Sequence, residues 1–313
     1  VEYSYNSQSS KTSENPRNNR LKHIANDIVD NFDFESKNQE LPFEQIKNKI
    51  ENIYKKAFGL IKSRSAILLT EEFENVFHDT ILPSKFEVFE YGEPIVSLGK
   101  SHLSNAYSVQ NVIYIDTPMM IGIDSENEYW DDLNDELSIK GRIRNQSDLL
   151  NIIDKEIIQG DTSFDDDIMT SYNFSYKRKD GSVFNLLDCA TGVKSFSILQ
   201  LLLKNGKINS KTLLIVDEPE SHLHPQWIIE YARLLVLINK NIGTKIFIAS
   251  HNPDMVSALK FISEKQQTEG NLNFYLAEKN TDFNYNYKSL GVDIEPIFES
   301  FNIAIDRINQ YGS

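Results

Sequence analysis

Asp217 and Glu218 stand side by side after the aliphatic run Leu213-Leu214-Ile215-Val216, and His251 follows a second such run, Ile246-Phe247-Ile248-Ala249. Each run reads as a buried strand, at 212–216 and 245–249, that delivers polar residues to its C-terminal end. Open parallel sheets place their ligands at that edge. Asp217 is suited to hold a magnesium ion, directly or through water, because a hard cation takes oxygen ligands. Glu218, one position on, points elsewhere and can orient or deprotonate a water that attacks a γ-phosphate. A histidine at the place of His251 can bond a γ-phosphate oxygen or that water, with Ser250 and Asn252 as supporting residues. The alternative for the carboxylates is a plain one: they cap the helix that follows. His222 and His224 resemble a metal pair, but two histidines two residues apart in a turn before Pro225 are weak zinc ligands.

A second constellation lies upstream in DCATGVKSFSILQLLL, residues 188–203. Thr191 and Gly192 precede an apolar helix, where exposed N–H groups favour phosphate, and Lys194 adds positive charge. In that helix, read over 196–204, Phe196, Leu199 and Leu203 share one face, and Gln200 is a polar exception.

The elements that must position these residues follow from periodicity. Strand 212–216, helix 226–239, strand 245–249 and helix 254–264 make a βαβα succession, the pattern of a parallel sheet. Strands at 272–278 and 283–289 and a helix at 294–309 follow it. Upstream, NVIYID (111–116) reads as a central strand. KFEVFEYGEPIVSL (85–98) reads as a hairpin turning at Gly92 and Pro94, and 171–177 with 182–187 as a hairpin around Lys179-Asp180-Gly181. Residues 125–167 are acidic, with helical periodicity over 147–158, and read as a solvated helical excursion or a partner-binding arm. Nearer the start, 1–6 suggests a strand, 7–20 a polar loop, 21–34 and 42–60 helices, and 66–70 a short strand or helix end.

The chain has 313 residues, 40% of them apolar, and a formal net charge of −14. Such a charge argues against broad, sequence-blind nucleic-acid binding, though not against a local basic groove. A single cysteine, Cys189, excludes an internal disulfide scaffold and any cysteine zinc cluster, and points to a reducing cytoplasm. No run approaches the roughly 18 continuous apolar residues of a membrane span.

The order and spacing of these segments resemble the ABC-type ATPases of the SMC, RecF and OLD group, in the branch of AAA-family ATPases of bacterial defence systems. LLIVDEPE (213–220) looks like their Walker B motif, SHLHP (221–225) like the D-loop, and Ile248-Ala249-Ser250-His251 like the switch-histidine segment. CATGVKS (189–195) is similar to the signature motif, and VIYIDTP (112–118) to the strand before a helical insertion. The resemblance implies an α/β, ABC-type P-loop NTPase head with a mostly parallel core sheet, additional antiparallel strands and a helical insertion around 119–168. Residues 1–183 and 184–313 would be two parts of that one head.

By the same resemblance the cofactors are ATP and Mg2+, with Asp217 at the metal and Glu218 and His251 as catalytic residues. Thr191, Gly192, Lys194 and Ser195 would meet the nucleotide held by a paired head. The implied partners are a second copy of the chain, a nuclease effector such as the one that works with the Septu anti-phage ATPase, and DNA or RNA; a membrane is not among them. Two departures stand out. The signature serine and first glycine fall on Ala190 and Thr191, and the phosphate-loop pattern GxxxxGK[ST] occurs nowhere. The nearest string, YNSQSSKT (5–12), lacks both glycines that let a backbone curl round phosphate. The expectation is therefore that the loop lies upstream of Val1, and that these residues alone bind ATP weakly. A head that kept the fold and serves as a non-hydrolysing regulator or scaffold is the competing reading.

Overall fold

A computed structural model describes residues 86–97, 102–104, 106–122, 128–139, 147–164, 173–281 and 284–311. The elements expected within residues 1–70, and the string 5–12, lie outside the described residues. The chain divides into two units between Asn105 and Ala106.

In the first unit, β1 (Glu87–Glu90), β2 (Glu93–Ser97) and β3 (His102–Leu103) form an antiparallel sheet in that order. Tyr91 and Gly92 both have positive φ, +52° and +83°. That is the two-residue turn whose twist suits a hairpin. Pro94, expected in the turn, instead pairs with Phe89 inside β2, beside an irregularity in the register.

The second unit is built on a parallel sheet, β4 (Asn111–Ile115), β8 (Thr212–Asp217) and β9 (Lys245–Ala249), in the order β4-β8-β9. Among the described residues β8 is the centre of the three, with NVIYID paired to it along β4. Ile113 and Ile115 of β4 and Leu214 and Val216 of β8 are buried in the core. Helix α3 (Thr191–Lys204), α4 (Pro225–Ile242) and α5 (Pro253–Gln266) contribute most of the remaining apolar side chains to the same core.

Two further sheets are antiparallel. β5 (Gly160–Phe164), β6 (Phe174–Arg178) and β7 (Val183–Asn185) form one, and β10 (Phe274–Thr281) with β11 (Asn284–Gly291) the other. The acidic segment folds as α1 (Glu128–Ser138), α2 (Ser147–Asn151) and a π-helical turn, Ile152–Ile157, before its last described residues enter β5. Helix α6 (Glu295–Tyr311) is the last element. The protein is thus an α/β fold with a parallel core sheet and additional antiparallel strands.

Helix α3 begins five residues earlier than its apolar periodicity predicts and is buried on nearly every side, as a helix apolar all round must be. Gln200 explains its place there. Its Oε1 accepts from the Thr162 amide at 2.7 Å, and its Nε2 donates to the Gly160 carbonyl at 3.2 Å and to Asp154. The Thr162 and Ser197 hydroxyls, 2.8 Å apart, complete a polar seam between α3 and β5. A buried polar group is tolerated when its bonds are met in this way. Burial raises the Asp154 carboxyl above its ordinary range, against the opposing bond from Gln200.

Candidate functional site at the C-terminal edge of the parallel sheet

The parallel register sets the site. Asp217 pairs with Ala249 at the last rung of β8 and β9. One further backbone bond, from the Glu218 N–H to the Ala249 carbonyl at 2.9 Å, lies beyond that rung. Both strands therefore end level, and the residues that follow them meet. His251 Nδ1 stands 3.1 Å from Glu218 Oε1, with both side chains open to solvent at 72% and 53% exposure. A carboxylate only accepts, so a hydrogen bond there needs the imidazole proton on Nδ1, leaving Nε2 as the nitrogen available to another group.

Glu218 is aimed by its backbone. Strand alternation would turn it to the face opposite Asp217, but its φ is +42°, in the left-handed region that side chains avoid. The Ser221 amide returns to the Glu218 carbonyl at 2.9 Å, and the Leu223 amide to the Glu220 carbonyl at 3.0 Å. His222, also left-handed at +63°, lies in the second of these turns. Two successive turns so carry the chain from β8 to α4. The Ser221 hydroxyl donates to Glu218 Oε2 at 3.2 Å.

The helix caps are supplied by other residues. His224 caps α4, its Nδ1 accepting from the Gln226 amide at 3.4 Å, with Pro225 in the first turn. Asp217 and Glu218 thus do not cap the helix that follows them. Asn252 caps α5 through the Asp254 and Met255 amides.

Asp217 is half-buried, and its Oδ2 accepts from the Tyr114 hydroxyl of β4 at 3.4 Å. It shares a small pocket with Asp116, Ser195, Glu218, Ser221 and the fully buried Tyr231, whose hydroxyl burial pushes well above its ordinary pKa. Among the described residues no group of three or more His, Cys, Asp or Glu side chains could by itself hold a metal. The hard oxygens of this pocket nevertheless fit magnesium, which keeps several waters and takes one or two carboxylates beside phosphate oxygens.

The signature-like residues are placed differently. Ala190 is the N-cap of α3 and supplies no side-chain cap; Thr191 and Gly192 lie in the first helical turn. The Thr191 hydroxyl faces Met119 Sδ at 3.6 Å. Lys194 and Ser195 are buried, and the Ser195 hydroxyl donates to the Thr191 carbonyl at 3.1 Å. Gly192 packs so closely on α4 that a Cβ built there would lie 2.3 Å from the ring of Trp227. Ser195 alone of these four lines the Asp217 pocket.

One residue of the site escapes a reading by sequence. Glu220 is buried beneath Ser250 and His251, its Oε1 accepting from the Ser250 hydroxyl at 2.8 Å and the His251 amide at 3.1 Å. No pattern flags it, because its burial comes from the turns at Glu218 and His222. The only available cue was a third acidic residue in a short, polar connection.

Residues 5–257 match the family described as "AAA domain, putative AbiEii toxin, Type IV TA system". The chain belongs to that family. Membership of an AAA-domain family points to a nucleotide as the general class of ligand. No curated protein matches it in sequence.

Solved structures similar to this AAA-domain chain include an Smc head domain with a coiled coil and joint from Pyrococcus yayanosii, at 10% identity and a TM-score of 0.37. That match covers 56% of this chain and 30% of that one. An SMC ATPase described for ATP-driven dimerization and DNA-stimulated activation matches at 13% identity and 0.37, over 57% and 98% of the two chains. A Pyrococcus furiosus Smc head with an extended coiled coil, bound to the C-terminal domain of ScpA, matches at 12% and 0.34, over 93% and 53%. The matched stretch is thus about a third of the first of these proteins and about half of the third. None of the described helices is long and apolar enough to cross a membrane.

Proposed function

We propose that this chain is part of an ATP-binding and hydrolysing head that works in pairs and passes the state of its nucleotide to an effector. The observation that carries the reading is the meeting of Glu218 and His251, 3.1 Å apart, one residue from Asp217 at the end of a parallel sheet. Asp217, with water and phosphate oxygens, would hold the magnesium ion; the bound ion neutralises phosphate charge. Glu218 would take the proton of the attacking water or orient it. Its partners are His251 and Ser221, so a water would have to displace one of those contacts. His251 Nε2 would meet a phosphate oxygen or that water.

Across a pair of heads, the start of α3 would reach the partner's nucleotide. Its first turn has no side-chain cap, which leaves backbone N–H groups of Thr191, Gly192 and Val193 for an anion. With Lys194 and Ser195 buried, backbone is the part of this segment fit for the contact. The effector is proposed as a nuclease or a nucleic acid, on the resemblance to defence ATPases alone.

The test is magnesium-dependent ATP binding by calorimetry on the full-length protein, with turnover measured alongside. Glu218→Gln should leave ATP affinity within about two-fold and lower turnover by about 10²–10⁴-fold, the usual worth of a general base. Turnover unchanged in that variant would sink the catalytic reading, and ATP binding without any turnover would favour the regulatory scaffold.

A further inference from the structure

Glu220 has no part in the reaction proposed above, yet it is the most buried carboxylate of the site, at 4% side-chain exposure. Its Oε1 accepts from the Ser250 hydroxyl and the His251 amide, and stands 3.7 Å from His251 Nδ1. Its Oε2 is buried without a hydrogen-bond partner among the described residues. A buried carboxylate with one oxygen unmet is costly to keep, and such a group in a native structure calls for a reason.

The reason lies in what it holds. Ser250 and His251 fall between the end of β9 and the Asn252 cap of α5, outside both elements. Ser250 Oγ itself accepts from the Asn252 amide at 3.2 Å, so the bond to Glu220 also reaches the start of α5. Glu218 meets only the exposed ring of His251; Glu220 grips its backbone from below.

We propose that Glu220 is the positioning residue of His251: it anchors the 250–252 turn so that the imidazole stands over Glu218 with Nε2 free for the nucleotide. The proposal deepens the ATPase reading and rests on it. Through the Ser250 and His251 bonds, Glu220 ties the segment after β8 to the segment after β9, so a displacement of Glu218 and His251 by nucleotide would be carried as one unit.

Amide hydrogen exchange on the chain without nucleotide tests the anchor directly. Glu220→Ala removes the acceptor, and the His251 amide should exchange faster by about ten-fold or more, while amides of α4 change less than about two-fold. Glu220→Gln keeps an acceptor oxygen and should stay near wild type; Ser250→Ala, which removes one donor, should fall between. Unchanged exchange at His251 in Glu220→Ala, or faster exchange spread evenly through α4 and β8, would overturn the proposal. If Glu220→Ala fails to fold, the ordering of the Gln and Ser250 variants decides.

Turnover in a double-mutant cycle supplies the second arm. Glu220→Ala should lower kcat with ATP affinity held, and adding it to His251→Ala should cost nothing more, since one acts through the other. Additive losses would overturn the positioning role. Absence of ATP turnover in the full-length wild type would instead defeat the ATPase reading and leave the exchange result standing.

Discussion

The end of β8 and the start of α3 each carry residues that chemistry could use, yet the protein treats them in opposite ways. At the end of β8, Glu218 and His251 are more than half exposed, aimed by a left-handed residue and a buried carboxylate. At the start of α3, Gly192, Lys194 and Ser195 are packed away, and the glycine lets α3 lie against Trp227. One region spends local stability to hold side chains open; the other gives up side chains and keeps the helix end. A glycine in a phosphate-like string is thus also a packing residue, and its replacement cannot be read as loss of a ligand contact alone.

Several substitutions would break or sharpen that contrast. The largest effect is expected at Gly192. Trp227 is held edge-on by Phe196, ring centroids 5.4 Å apart, and cannot swing away freely. Gly192→Val should destabilise the fold by about 1–3 kcal/mol through overpacking, with Trp227→Leu in the same chain recovering part of it. Urea denaturation checks both. A Gly192→Val chain as stable as wild type would mean that α4 yields to the added side chain without cost.

The converse change is Glu218→Gly. It removes the left-handed strain and the exposed carboxylate together, and should raise stability by about 0.5–1 kcal/mol while removing the proposed general base. Glu218→Gln keeps the strain and should show no such gain, which separates backbone from charge.

The smallest effect concerns the far side of α3. The Asp154 carboxyl is raised in the fold, so folding favours its protonated form. Its destabilising contribution grows as pH rises through the unfolded value and is complete above the folded one. Asp154→Asn should therefore flatten stability against pH across the carboxylate range and raise it slightly at neutral pH. Thermal melts from pH 3 to about 7 would show this.

Only the β8 side of this contrast was legible in the residues. The aliphatic runs fixed β8 and β9 nearly to the residue, because a buried strand is written as continuous apolar sequence bounded by polar ends. Asp217, Glu218 and His251 followed from those ends. The early start of α3 was not legible: Thr191-Gly192 is poor helix sequence, and tertiary packing on Trp227 overrides it. Nor was the pairing of β4 with β8, since a strand's neighbours are set by partners distant in the chain. Glu220 escaped notice for a third reason. Its environment is made by two left-handed residues in a turn, and neither Glu218 nor His222 is the glycine that announces positive φ.

The bond from the Glu218 amide to the Ala249 carbonyl makes the parallel register a gauge. A slip of β9 by a single residue would carry its end about 3.3 Å along β8 and turn its side chains to the opposite face. His251 would then leave the reach of Glu218, and Ser250 that of Glu220. An insertion or deletion of one residue within 245–250 should therefore silence the site while sparing the helices, whereas the exposed β10–β11 hairpin can change length without the edge of β8 registering it.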